Sequence, residues 1–214
     1  MSSSVTLFYS FRSPYSWLGF HRARRVLPAL DVELRSVPVF PPPGLVTAST
    51  STPRRLAYTL EDSARVARAY GLIVRWPEEM DTDWVRPHAS AYWAAAAGRG
   101  DAFIAAAFAA RFERGLDLGS ATVLQGLARD IDLDGEACVA AADDPERHRQ
   151  VWQGMAEAQA TGIFGVPTFD FEGQTFWGND RLEWLIRAIE QSRGRAVPDL
   201  VAHPLAAPCD APES

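Results

Sequence analysis

The stretch that decides the fold is VTLFYSFRSPYSWLGF, residues 5–20. Its first five residues, VTLFY, form a short run of β-branched, apolar and aromatic side chains, the pattern of a buried strand. The Ser13-Pro14 pair then marks a helix start. Serine is a preferred N-cap, and proline at the first helical position gives up an N–H that has no partner there anyway. Ala23, Val26, Leu27 and Leu30 continue at helical spacing. VELRSVPV, residues 32–39, is a second strand. The first forty residues therefore read β-α-β, which implies parallel strands joined by a right-handed crossover.

FPPPGLVTASTSTP, residues 40–53, is a loop by composition. About a hundred helical residues follow, beginning with PRRLAYTLEDSARVARAYG. Asp101 and Ser120 are read as N-caps and Gly98 and Gly115 as stops. A further helix opens on Asp144 and Pro145 and closes on Gly162. Trp76, Trp84, Tyr92 and Trp93 are read as packing within this helical block. The period then returns to two: PTFDF and QTFWG, separated by Glu-Gly, form a hairpin. NDRLEWLIRAIEQ is a final amphipathic helix, with Asp180 and Glu183 spaced as a capping box.

The predicted architecture is α/β: β-α-β and β-β-α halves joining into one sheet around a large inserted helical segment. The expected division is 1–50 with 163–195 as the sheet domain and 51–162 as the helical domain. The Pro/Ala-rich residues 196–214 form a tail.

Bulk composition narrows the function. Of 214 residues, 47% are hydrophobic and 22% charged, an ordinary balance for a folded protein. A net charge of -6 argues against general nucleic-acid binding. Cys138 and Cys209 are far apart and in no motif, which suits a reducing compartment without a disulfide framework. The alanine-rich runs are too short and too charged to span a membrane, and MSSSVTLFYSF lacks the pattern of a signal peptide. A cytoplasmic protein is the expectation. The four histidines, at 21, 88, 148 and 203, have no metal-ligand spacing, and no phosphate-binding glycine loop is present.

SPYSWLGF, preceded by LFYSF, resembles the N-terminal motif of the kappa-class glutathione transferases and of the 2-hydroxychromene-2-carboxylate isomerases. Both belong to the DsbA-like branch of the thioredoxin superfamily. Ser13 and Ser16 stand where redox members of that superfamily carry their C-x-x-C cysteines. Three further segments resemble the same family, in the same order: PRRLAY (53–58) with the acids Glu61 and Asp62, GIFGVPTF (162–169), and FWGNDRLEWL (176–185).

The resemblance implies a thioredoxin-like fold with an inserted helical domain, and a glutathione-dependent enzyme. It implies a small organic electrophile as second substrate and a homodimer. Ser13 takes the place of the family's catalytic serine. Its hydroxyl can hydrogen-bond an incoming thiolate at the positive end of a helix dipole, although on its residues alone it is first an N-cap. Arg55 matches the lysine that binds the glycine carboxylate of glutathione. Val166 and Pro167 match the segment that pairs with the cysteinyl backbone. Asn179 and Asp180 match the Ser-Asp pair at the γ-glutamyl end, with capping of the last helix as their simpler role. X–Pro bonds are cis in only about 5–6% of cases, so the residues alone predict a trans Val166-Pro167 bond; the resemblance implies cis. Tyr15 and Trp17 are read as walls of the second-substrate pocket, and Ser16 as local helix hydrogen bonding. No metal is expected.

The favoured activity is the isomerase, with a kappa-type transferase or peroxidase as the alternative. A thioredoxin-like scaffold without redox chemistry, or an enzyme using another low-molecular-weight thiol, is a further alternative. Disulfide exchange is excluded, because neither position 13 nor position 16 carries a thiol.

Overall fold

The computed structural model describes residues 3–39, 52–78 and 80–195. The loop read over 40–53 and the tail read over 196–214 fall almost entirely, and entirely, outside these residues, as does Cys209. Strand β1 (Ser3–Tyr9) leads through a short turn to helix α1 (Pro14–Ala29) and strand β2 (Val32–Pro38). Among the described residues the helices α2 (Pro53–Ala69), α3 (Val85–Ala96), α4 (Gly100–Phe112), α5 (Ala121–Arg129), α6 (Gly135–Ala142) and α7 (Pro145–Ala160) follow. Then come β3 (Thr168–Phe171), β4 (Gln174–Trp177), a 3₁₀ turn (Asn179–Arg181) and α8 (Leu182–Ser192).

The sheet order is β2-β1-β3-β4. β1 runs parallel to β2, with Val5 opposite Leu34 and Tyr9 opposite Pro38, and antiparallel to β3, with Leu7 opposite Phe169. Its inner position explains why Val5, Leu7, Phe8 and Tyr9 are all buried, because both faces are covered. Val5, Leu7 and Tyr9 face a large core shared with α1, α4 and α8, whereas Phe8 joins Val37 and Ala158 of α7 in a smaller cluster. The β3–β4 turn places Glu172 and Gly173 at φ 51° and 79°, the left-handed pair that a tight two-residue hairpin requires.

Two of the expected caps are absent. α4 begins at Gly100, so Asp101 lies within its first turn and benefits from the helix dipole without capping. The Asp180/Glu183 capping box does not form, and α8 starts from Arg181 with no side-chain cap. Glu183 instead accepts a hydrogen bond from the buried Arg22 guanidinium at 2.5 Å, a stronger charge-assisted partner than a backbone amide.

Candidate active site at the start of helix α1

Every backbone N–H between β1 and α1 is used. Ser10 N–H donates to Ser16 Oγ (3.2 Å), Phe11 N–H to His88 Nε2 (3.3 Å), Arg12 N–H to Ser10 Oγ (3.3 Å) and Ser13 N–H to Ser10 O (3.0 Å). Ser13 has extended backbone angles, φ -94° and ψ 116°, and its Oγ accepts the Ser16 N–H at 3.2 Å. It is therefore the N-cap that the sequence indicates. Because Oγ serves as acceptor, the hydroxyl hydrogen is left to donate outward, and no group among the described residues receives it. Ser16 is fully buried, and its oxygen reaches back six residues to close the turn instead of bonding within the helix.

His88 had no functional signal in the sequence beyond being one of four histidines without ligand spacing. It is fully buried in α3, and its Nδ1 lies 2.5 Å from the Trp84 carbonyl. Burial pushes its pKa down to about 4, so the ring is neutral at ordinary pH. With Trp84 O as acceptor and Phe11 N–H as donor, the proton sits on Nδ1 and Nε2 accepts. One imidazole thus ties the helical segment to the turn two residues before Ser13.

Tyr15 and Trp17 diverge. The Tyr15 hydroxyl donates to Asp62 Oδ2 at 2.8 Å, and Asp62 also accepts from Arg65 at 2.6 Å. Burial, then the hydrogen bond to Asp62, raise the Tyr15 phenol, and Tyr58 and Asp180 add to the effect. The ring is half-buried and joins α1, α2 and the 3₁₀ turn around one point. Trp17 is only 2% exposed, and its ring stacks on Phe112 at 5.4 Å. The pocket-wall role expected for Trp17 does not fit this placement, because α1 turns position 17 toward α4 and into the core.

The Val166-Pro167 bond is cis. Pro167 packs on α1 at Gly19, where an added Cβ would come within 3.2 Å of its Cγ. Gly19 thus allows the helix to lie close against this segment. The backbone N–H and C=O of the half-buried Val166 make no hydrogen bond among the described residues, whereas Pro167 O accepts from Gly178 N–H at 2.8 Å. Gly178 has φ 120°, a conformation that favours glycine, and it turns the chain from β4 toward Asn179 and Asp180. Asn179 is buried, and Asp180 is exposed in an ion pair with Arg181 at 3.0 Å.

Arg55 lies in the first turn of α2 and is exposed, and its guanidinium has no ion-pair partner among the described residues. Its backbone N–H donates to Thr52 Oγ1. The structure thus joins Tyr15 to Asp62 and Asp180 electrostatically and packs Pro167 on α1.

An aromatic pair beside this segment had only a weak sequence signal, one ring on each side of Gly165-Val166-Pro167. Phe164 is 77% exposed and Trp177 51% exposed, and they meet edge to face at 4.9 Å. Among the described residues no group of three His, Cys, Asp or Glu side chains could hold a metal, and no helix is long and apolar enough to cross a membrane. Cys138 is buried, and burial raises its thiol.

The model of the DSBA-like thioredoxin domain matches residues 4–190. A 2-hydroxychromene-2-carboxylate isomerase from Sphingobium xenophagum is 24% identical over 192 residues, covering 86% of this chain and 97% of that protein. Among solved structures, a 2-hydroxychromene-2-carboxylate isomerase superposes with a TM-score of 0.77 at 21% identity, over 89% of this chain and 98% of the other. The cytosolic disulfide reductase DsbM from Pseudomonas aeruginosa with GSH superposes with a TM-score of 0.62 at 17% identity, over 89% and 99%.

Proposed function

The chain belongs to the DSBA-like thioredoxin domain family, and from that premise we propose that it is a glutathione-dependent isomerase of the 2-hydroxychromene-2-carboxylate isomerase type. The carrying observation is the Ser13 hydroxyl, which accepts from Ser16 N–H at the start of α1 and keeps its own hydrogen to donate. The curated relative bears the name of that isomerase, and the DsbM structure holds GSH.

The residues suit glutathione. The N–H and C=O of Val166, without a partner among the described residues, offer a strand-like partner for its cysteinyl backbone, beside Pro167. Arg55 offers a guanidinium for the glycine carboxylate. Asn179 and Asp180, ahead of α8, offer polar and anionic groups for the γ-glutamyl end. Bound glutathione supplies a nucleophilic thiol that the protein itself lacks at positions 13 and 16. Ser13 donates its hydrogen bond to the sulfur in its anionic form, and the α1 N-terminus adds its dipole. Each unit by which a thiol pKa falls below about 8.5 needs roughly 1.4 kcal/mol. A charge-assisted hydrogen bond with the helix terminus supplies roughly 1.5–3 kcal/mol, enough for one to two units. Tyr15, kept neutral by burial and by its hydrogen bond to Asp62, lines the electrophile side as a hydrogen-bonding wall. The second substrate is an unsaturated carbonyl compound or a related product of aromatic degradation.

Arginine at 55 and asparagine at 179, where the kappa transferases carry lysine and serine, favour as second reading a thioredoxin-like scaffold without redox chemistry or an enzyme of another small thiol. Calorimetry with glutathione, followed by spectroscopic titration of the bound thiol, tests the assignment. The Ser13→Ala protein is expected to bind glutathione with its thiol pKa raised by about one to two units. Its turnover falls about ten- to a hundredfold. Absence of binding at millimolar glutathione, or an unchanged thiol pKa in the variant, overturns the proposal.

A further inference from the structure

Helix α8 starts without a local anchor. Arg181 precedes it with no side-chain cap, and the 3₁₀ turn Asn179–Arg181 runs directly into Leu182. Orphan N–H groups at such an end leave the first turn free to fray. Leu182, Leu185, Ile186 and Ile189 are buried and hold α8 on the core. Apolar burial is non-directional, so it selects the covered face without fixing the height or rotation of the helix. That is left to a directional contact.

Glu183, in the first turn of α8, supplies it by accepting from Arg22 Nη2 at 2.5 Å. Arg22 lies in α1, on the same helix that Ser13 caps and about 13 Å further along its axis. It is buried, and its guanidinium also lies 5.3 Å from the ring of Tyr70, the residue that closes α2. One buried cation thus joins α1, α2 and α8. The 3₁₀ turn packs on α1 as well. On its other side Gly178, at φ 120°, gives the Asp180 carboxylate the space that a Cβ would take. The turn is therefore held before and after, by Gly178 and by Glu183, with the buried Asn179 and the exposed Asp180 between the two fixed points.

We infer that Arg22 and Glu183 are positioning residues, whose buried ion pair sets the spacing between Ser13 and the Asn179–Asp180 turn and thereby the affinity for the γ-glutamyl end of glutathione. This rests on the glutathione reading given above and adds to it two residues that touch no ligand. Desolvation cancels much of the attraction in a buried ion pair, so its advantage over an apolar pair of similar volume is direction and not net stability. Charge-assisted hydrogen bonds are short and orientation-specific, which suits them to fixing one register between two helices.

The test compares the natural protein with Glu183→Gln, Glu183→Asp and the double variant Arg22→Met/Glu183→Leu. Glutamine keeps the length of the contact without its charge, aspartate keeps the charge and shortens the reach, and the double variant fills the space with apolar groups. Calorimetry with glutathione, spectroscopic titration of the thiol at saturating glutathione, and urea unfolding are run on all four. Glu183→Gln stays within about twofold of the natural affinity. Glu183→Asp and the double variant bind about tenfold more weakly. The thiol pKa of bound glutathione is unchanged throughout, because Ser13 and the start of α1 are intact. Full affinity in Glu183→Asp or in a folded double variant, a thiol pKa that rises as affinity falls, or affinities that simply follow the unfolding midpoints overturns the positioning role alone. No binding of glutathione by the natural protein overturns the glutathione reading and this inference with it.

Discussion

Protonating His88 should unfold this protein from the side of the α1 turn. The imidazole is fully buried, and burial takes its pKa from 6.5 to about 4, against a smaller opposing effect of its hydrogen bond to Trp84 O. The unfolded chain takes up the proton near pH 6.5, while the folded chain resists it until about pH 4. In that window the unfolded state binds more protons, so stability falls as pH falls. The contribution is whole above about pH 6.5 and spent below about pH 4. At about 1.4 kcal/mol per unit it amounts to roughly 3 kcal/mol, a large share of the about 5–15 kcal/mol of an ordinary domain. Protonated Nε2 can no longer accept from Phe11 N–H, so the loss is felt two residues before Ser13.

Urea unfolding across this pH range, comparing the natural protein with His88→Gln, reads the effect. The glutamine variant is less stable throughout, but its stability falls roughly 3 kcal/mol less between about pH 7 and about pH 4. The comparison cancels His21, whose pKa burial and the neighbouring Arg25 and Arg24 also push down to about 4. It also cancels Asp101 and Glu113, both raised by burial. The protection factor of the Phe11 amide against hydrogen exchange should fall in acid in the natural protein. Parallel stability curves for the two proteins would refute the reasoning, since a solvated histidine gives no such difference.

Two further outcomes follow from packing. Glu183→Ala strips the partner from Arg22, whose side chain is 9% exposed and whose guanidinium also lies 5.3 Å from the Tyr70 ring. It should cost about 2–3 kcal/mol in thermal or urea unfolding, less than a wholly buried pair because Glu183 is itself 26% exposed. Trp17→Ala should cost about 3–5 kcal/mol of stability; Trp17→Phe, which keeps a ring against Phe112, should fold and leave the KM for the second substrate unchanged. A raised KM in Trp17→Phe with unaltered stability would place that side chain in the substrate pocket after all.

How far the site could be read from the chain depends on how local its determinants are. Ser13 was legible because an N-cap is specified within a few consecutive residues: an extended serine, a proline at the first helical position and the amide at Ser16. Helix ends at Gly98, Gly115 and Gly162 were legible for the same reason, since a left-handed glycine stops a helix wherever it occurs. Asp101 and Asp180 were misjudged as caps because the competing interactions come from elsewhere. A carboxylate gains as much inside a first turn as before it, and Glu183 is drawn to Arg22, 161 residues away. Trp17 was misjudged because helical periodicity fixes which residues share a face, but not which face meets the core.

The sequence by itself determined the order of strands and helices, the parallel β-α-β opening and the capped start of α1, because each is set by propensity and spacing within a few residues. Only the tertiary structure decided that His88 holds the Phe11 amide across 77 residues, that Tyr15 donates to Asp62 across 47, and that Val166 has no backbone partner among the described residues. Those pairings require the sheet and the helical segment to meet, and the energy that selects them is the removal of water from polar groups that no local pattern records.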